Sequence, residues 1–282
     1  MSAPPAPAYL RPTRSDEALQ HLARGAFTIL AGGTDHYAAR VGRPLSEPIL
    51  DITAISSLRD IVVGTDQWRI GAGVTWTDVL EAKLPRLFDG LRLAAREIGG
   101  VQIQNSGTLA GNLCNASPAA DGVPALLALE ARVELSSLKG VRVLSLEAFI
   151  LGPRRTARRP DELMTAILVP RPLHEARSHF LKLGARKYLV ISIAMASAVI
   201  EHEGGVVRKA RIAVGSCSPV AVRLGALEES LVGQPLDARL PELAQVEHLS
   251  PLSPIEDVRA SADYRLDAAL TVVKRTLAAV CT

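Results

Sequence analysis

The stretch from Gly99 to Asp121 constrains this chain more than any other part of it. It is rich in Gly, Asn, Ser and Thr, has little periodicity, and is too long for an ordinary connection inside a compact chain. Such a segment is either disordered or a functional loop. Val101, Ile103, Leu109 and Leu113 punctuate it with apolar side chains, which argues for order. Its centre, Thr108-Leu109-Ala110-Gly111-Asn112, offers a hydroxyl, an amide and bare main-chain N–H groups. Ser117 and Asp121 follow. A carboxylate at Asp121 either receives ribose hydroxyls or caps a helix, and the residues alone leave both readings open.

A second element has the same chemistry. Phe27 to Ala31 is an apolar strand that stops at Gly32-Gly33, after which Thr34-Asp35 opens a helical pattern through Tyr37, Ala38 and Val41. Glycine lets main-chain N–H groups approach an anion, and a helix N-terminus adds partial positive charge. Taken singly, each element is as ordinary as a turn. Two in one lobe could hold a diphosphate from both sides.

Composition removes several classes. Aromatic residues are 4% and the net charge is +3, so the chain has neither the stacking platforms nor the field of a nucleic-acid binder. The cysteines, Cys114, Cys217 and Cys281, are far apart and cannot by themselves supply the four thiolates of an iron–sulfur cluster. Their sparseness, without a signal peptide, predicts a reducing cytoplasm. The run Leu189–Ile200 has twelve residues, short of the roughly twenty a membrane helix needs, and reads as a buried strand. No Walker A or His-Glu-x-x-His sequence occurs, and Gly71-Ala72-Gly73 meets Trp76 where a dinucleotide fingerprint needs its third glycine. The histidines show no metal-ligand spacing.

A length of 282 residues suggests two domains, and 48% hydrophobic content supports a sizeable core. Residues 1–12, with four prolines, read as an extended arm. Periodicity predicts helices over 16–23, 74–84 with Thr75 as N-cap, 91–98, 123–129 and 221–231. A last helix carries a stripe of Leu266, Leu270, Val273, Leu277 and Val280, with Ser261 at its start. Strands are predicted over 49–52, 61–63, 68–71, 132–135, 141–144 and 163–169, then over 180–183, 191–200 and 206–214. Pro170-Arg171-Pro172 marks the boundary between a domain over 1–170 and one over 173–282. The second is expected to be a three-stranded sheet backed by helices, and the whole chain α+β.

The ordered motifs carry a resemblance. Tyr9-Leu10-Arg11-Pro12, Ala31-Gly32-Gly33-Thr34-Asp35, Ile70-Gly71-Ala72-Gly73-Val74-Thr75, Gln104 to Asn112, Ala116-Ser117-Pro118 to Asp121, Gly152 to Thr156 and Asp257 to Arg265 run in sequence along nearly the whole length. Together they resemble the FAD-binding medium subunit of the molybdenum hydroxylases, the family of xanthine dehydrogenase and carbon monoxide dehydrogenase. The resemblance implies a two-subdomain PCMH-type FAD-binding domain followed by a small α/β C-terminal domain. It implies that Ala31, Gly32, Gly33, Thr34 and Asp35 grip the FAD diphosphate on one side, and Thr108, Gly111 and Asn112 on the other. Ser117 and Asp121 are placed along the ribityl and ribose part, Ala157 and Arg158 at the ring system, and Lys182 near the flavin. Molybdopterin and 2Fe–2S clusters are expected on a large and a small partner subunit, in a dimer of heterotrimers. Electrons are expected to pass from the clusters through FAD to NAD⁺ or another acceptor. A self-contained flavin oxidase or reductase, or a flavin-free assembly scaffold, is the alternative.

The run Arg186 to Ser192 lacks the carboxylate that some relatives carry there, and Ala110 stands where many have glycine. The basic stretch Arg154 to Arg159 reads either as a solvated loop or as a cluster over the flavin.

Overall fold

The computed structural model describes residues 8–42 and 46–282. The expected N-terminal arm lies largely outside the described residues, its residues 8–12 excepted.

The first layer is small. Strands β1 (Tyr9–Leu10), β2 (Thr28–Leu30) and β3 (Ile49–Asp51) form a parallel sheet in the order β1-β3-β2. Helix α1 (Ser15–Arg24) covers it because Ala18 and Leu22, four residues apart, fall on one face. Helix α2 (Thr34–Ala38) starts directly after Gly32-Gly33. Leu50, Ile52, Ile55 and Leu58 fill the core under α1, together with Leu163 from far along the chain.

The second layer is antiparallel. It contains β4 (Ile61–Val63), β5 (Gln67–Gly71), α3 (Trp76–Glu81), α4 (Asp89–Glu97), α5 (Val101–Ser106), α6 (Leu109–Asn115) and α7 (Gly122–Ala128). Then come β6 (Arg132–Ser137), β7 (Gly140–Ser145), α8 (Leu146–Phe149), β8 (Ile150–Gly152), β9 (Arg155–Thr156) and β10 (Leu163–Pro170). The sheet order is β4-β5-β10-β6-β7, with β8 and β9 a separate ribbon. Thr75 caps α3 as the sequence predicts: its Oγ1 accepts the Asp78 N–H at 3.1 Å, and the Asp78 carboxylate accepts the Thr75 N–H at 2.8 Å. The long segment 99–121 is ordered but is not one loop. It folds into α5 and α6, six and seven residues long, joined at Gly107-Thr108.

The third layer holds β11 (Glu175–Leu183), β12 (Ala194–Glu203), β13 (Val206–Gly215), β14 (Val222–Arg223), α9 (Gly225–Leu231) and α10 (Ala262–Val280). The three predicted strands are present, and the two-residue β14, inside the predicted helix 221–231, adds a fourth. Strand β12 is buried on both faces. Ala194, Ala196, Ala198 and Ile200 meet α10, whereas Met195 and Val199 join the core of the second layer. The buried stripe of α10 runs through Ala269, Val272, Val273 and Leu277, with Leu266 and Leu270 at its margin. Ser261 caps its start by accepting the Tyr264 N–H. No described helix is long and apolar enough to cross a membrane.

Candidate functional site

The two glycine turns meet in space. A Cβ added at Gly32 would lie 1.8 Å from the main-chain oxygen of Ser106 and 2.9 Å from the Cα of Gly107. Only a residue without a side chain permits this approach. The second turn is fixed from below by α3. The Trp76 N–H donates to the Gly107 carbonyl at 3.1 Å, and the Leu109 N–H donates to the Val74 carbonyl at 3.1 Å. The Trp76 side chain is buried beneath Gly107 and Gly122, so the turn rests on an indole.

A cavity of about 800 Å³ opens between the first and second layers, within the size range of cofactor pockets. Its rim is the stretch Phe27 to Arg40 on one side and Gly107 to Asn115 on the other. Ala72, Ile98, Ile103, Leu163 and Met164 supply apolar wall, and Arg154 and Arg158 bring positive charge.

The polar groups facing this space are short of partners. Gly33, at φ +68°, is the N-cap of α2. Among the described residues the N–H groups of Gly32, Gly33, Thr34 and Asp35 make no hydrogen bond. Thr108 Oγ1 accepts the Gly111 N–H at 2.9 Å, which leaves its own hydrogen to donate elsewhere. Asn112 Oδ1 is buried without a partner among the described residues. An anion fits the bare N–H groups at the rim. The residues present therefore suit a dinucleotide such as FAD.

Of the thirteen residues predicted from sequence, nine line the cavity: Ala31, Gly32, Gly33, Thr34, Asp35, Thr108, Gly111, Asn112 and Arg158. The other four, Ser117, Asp121, Ala157 and Lys182, stand outside its lining. Asp121 and Lys182 are paired with each other instead, at 2.6 Å, and Ser192 Oγ donates to the second Asp121 oxygen at 2.7 Å. Burial pushes the Asp121 carboxyl up, while the Lys182 ammonium and Ser192 hydroxyl pull it back. Both main-chain groups of Ala157 are used: its N–H donates to Phe149, and its carbonyl accepts from Arg142.

Sequence reasoning missed what fastens the basic stretch. Glu162 is buried, accepts Arg142 at 2.6 and 2.8 Å, and accepts the Arg159 N–H at 2.7 Å. Arg158 donates to the Glu162 carbonyl at 2.8 Å, and Arg154 donates to Asn115 on the opposite rim. The stretch is thus a tethered wall of the cavity. The one thiol on the lining, Cys114, is pushed up to about 11 by burial, against a weaker pull from Arg158, so it is inert near neutrality.

This arrangement defines a dinucleotide-binding domain with a helix-backed sheet docked against it. Comparison with known proteins narrows the class. Residues 5–172 match the FAD binding domain in molybdopterin dehydrogenase, and residues 179–280 match the CO dehydrogenase flavoprotein C-terminal domain. The chain is 32% identical over 281 residues to the caffeine dehydrogenase subunit beta of a Pseudomonas species, covering 96% of this chain and 93% of that one. It is 30% identical over 258 residues to a xanthine dehydrogenase FAD-binding subunit of Escherichia coli, covering 88% and 87%. Its fold is similar to a carbon monoxide dehydrogenase chain of Hydrogenophaga pseudoflava, with TM-score 0.85, 30% identity and coverage of 99% and 98%. The chain belongs to the family of FAD-binding medium subunits of the xanthine and carbon monoxide dehydrogenases, and is a subunit of an FAD-dependent oxidoreductase.

Proposed function

We propose that this chain is the electron-transfer subunit of a molybdenum hydroxylase. It would work in the cytoplasm beside a large molybdopterin subunit and a small 2Fe–2S subunit, in a dimer of heterotrimers. The isoalloxazine, when bound, supplies the exchange of single electrons from the clusters for a pair delivered to NAD⁺ or another acceptor. The chain's own residues bind and orient. Residues Ala31 to Asp35 offer main-chain N–H groups to the diphosphate, and opposite them Thr108 offers its hydroxyl hydrogen beside Gly111. Asn112 lines the same side of the cavity. Arg158 adds charge at the far rim, and Ala72, Leu163 and Met164 keep water from the apolar part. Asp121 and Lys182 enter this proposal as a buried pair behind the turn that contains Ser117, and Ala157 as part of the stretch tied to Arg142.

The observation that carries this reading is the contact of Gly32 with Ser106, which sets two N–H-bearing turns on one cavity. The test is reconstitution. The purified chain incubated with FAD should turn yellow, accept electrons from NADH or dithionite, and hydroxylate nothing. A colourless product after reconstitution, or hydroxylation by the isolated chain, would contradict it.

A further inference from the structure

The FAD-binding reading leaves two sequence motifs without a role: Gly215-Ser216-Cys217-Ser218-Pro219 and Asp257 to Arg265. The structure joins them around one side chain. Arg265 lies in the first turn of α10 and is fully buried. Its guanidinium donates to the Ile193 carbonyl at 2.8 Å, the Ser216 carbonyl at 3.2 Å and Asp257 Oδ1 at 2.7 Å. One group thereby ties together the entry to β12, the exit from β13 and the loop before α10.

Both strand ends then reach across to the cofactor-binding domain. Ser216, held at φ +63°, donates its N–H to the Pro118 carbonyl at 3.2 Å. Ser192, next to Ile193, donates its hydroxyl to Asp121 at 2.7 Å. Its carbonyl accepts Arg259 at 2.9 Å, and Arg259 is itself paired with Asp257 at 2.6 Å. Gly215 abuts Pro124 of α7, where a Cβ would lie 3.1 Å from the ring. The turn 118–121 is thus gripped at both ends by the third layer. That turn follows α6 directly, and Gly122 sits against the orphan oxygen of Asn112, where a Cβ would lie 2.8 Å away.

We propose that Arg265 is a positioning residue for the FAD cavity, acting through Ser216–Pro118 and Ser192–Asp121 to hold the turn behind Asn112. Stability alone does not account for it. A buried guanidinium is expensive to desolvate, and its Nε hydrogen has no partner among the described residues. An apolar residue of similar volume would suit the packing of α10 alone. The strained backbone at Ser216 fits the same view, since a serine at positive φ persists only where its surroundings fix it.

The inference rests on the FAD-binding reading, and the experiment separates the two. Arg265→Lys keeps the charge but cannot reach three acceptors. Ser192→Ala removes only the bridge to Asp121, so it reports even if the lysine variant folds poorly. Thr276→Ala, about three turns further along α10, removes a buried hydrogen bond with no path to the turn and serves as the control. The readouts are the FAD dissociation constant, from flavin fluorescence, and amide hydrogen exchange of the apo chain. Arg265→Lys and Ser192→Ala should each weaken FAD binding about tenfold or more, the equivalent of one charge-assisted hydrogen bond. Exchange at residues 116–122 should quicken by a similar factor, while exchange in the β6–β7 hairpin stays as in the wild type. Thr276→Ala should change neither. If the wild type binds FAD and both variants bind it equally well, or Thr276→Ala weakens binding as much, the role of Arg265 is refuted and the FAD reading stands. If the wild type binds no FAD, both fall together.

Discussion

Gly32 is the residue at which geometry decides most. An alanine there would place its methyl against the main chain of Ser106, which cannot swing aside as a side chain can. The two turns must separate, at a cost of about 2–3 kcal/mol or more. Gly32→Ala should therefore purify without flavin, as its absorption spectrum would show. Gly33→Ala is different. Its φ of +68° makes alanine about 1–2 kcal/mol worse, but the nearest atoms belong to the Tyr37 ring, which can rotate. That variant should melt lower and keep its flavin. Asn112 gives a third case. Replacing it by Ala removes a buried oxygen that has no partner in the unliganded chain, so apo stability should hold or rise slightly. Flavin affinity should fall roughly tenfold to a hundredfold, for one or two lost hydrogen bonds. A drop in apo melting temperature without a change in affinity would mean that the side chain does not touch the ligand. The glycines were legible in the sequence because a double glycine between a strand and a helix announces itself locally. The pairing of Asp121 with Lys182 was not, because its partners are 61 residues apart and nothing near either one signals the other.

At the scale of elements, amphipathic pieces could be read and polar pieces could not. Helix α10 and strands β12 and β13 bury clear apolar faces, and periodicity located them to within a few residues, whereas only the last four residues of β11 were read. Helices α5 and α6 mix Val, Ile, Leu and Ala with Gln, Asn, Ser and Gly, and have too few turns for a stripe. Their helicity comes from tertiary support by Trp76 and the Thr108 cap. Strand β14 has two residues, fewer than any alternation needs. The tether of the 154–159 stretch is an element-scale feature with a pH signature. Burial raises the Glu162 carboxyl, but the Arg142 and Arg159 bonds win and hold it below its ordinary value. A depressed carboxylate contributes stability above its unfolded value, near 4.3, and loses that contribution as the pH falls through the folded value. The wild type should lose thermal stability as the pH drops below about 4.3. Glu162→Gln should be less stable near neutrality, by about 1–3 kcal/mol, and show a flatter acid limb. Parallel acid limbs for the two proteins would mean that this carboxylate contributes nothing to the pH dependence.

At the scale of the whole molecule, the proline-flanked junction near 170 separates two sheets that share one apolar cluster, while β12 and β13 form a second core with α10. Phe180, Met195, Val199 and Ala213 of the third layer belong to the same apolar cluster as Phe88, Leu91, Leu126 and Ile167 of the second. Helices α4 and α7 are the shared filling, covered by the second sheet's elements on one side and by β11 to β13 on the other. A polar clamp closes the edge: Glu130 accepts Lys209 at 2.7 Å and Arg211 at 3.2 Å, and Arg211 also holds Glu201 at 2.5 Å. Ser178 adds an inner link, accepting the Gly90 N–H at 2.8 Å and donating to the Leu87 carbonyl at 2.6 Å. A chain built this way has no plane along which to part. Its thermal unfolding should be a single transition, with calorimetric and van't Hoff enthalpies in agreement. Phe180→Ala should move that transition down by the equivalent of about 3–5 kcal/mol without splitting it. A fragment ending at residue 172 should lack a cooperative transition and bind a hydrophobic dye, because the outer faces of α4 and α7 would meet water. It should also fail to retain FAD, since the turn behind Asn112 would lose Ser192 and Ser216 together. Two resolved transitions in the full chain, or a fragment that melts sharply and stays yellow, would show that the layers stand independently and that the third contributes nothing to the cavity.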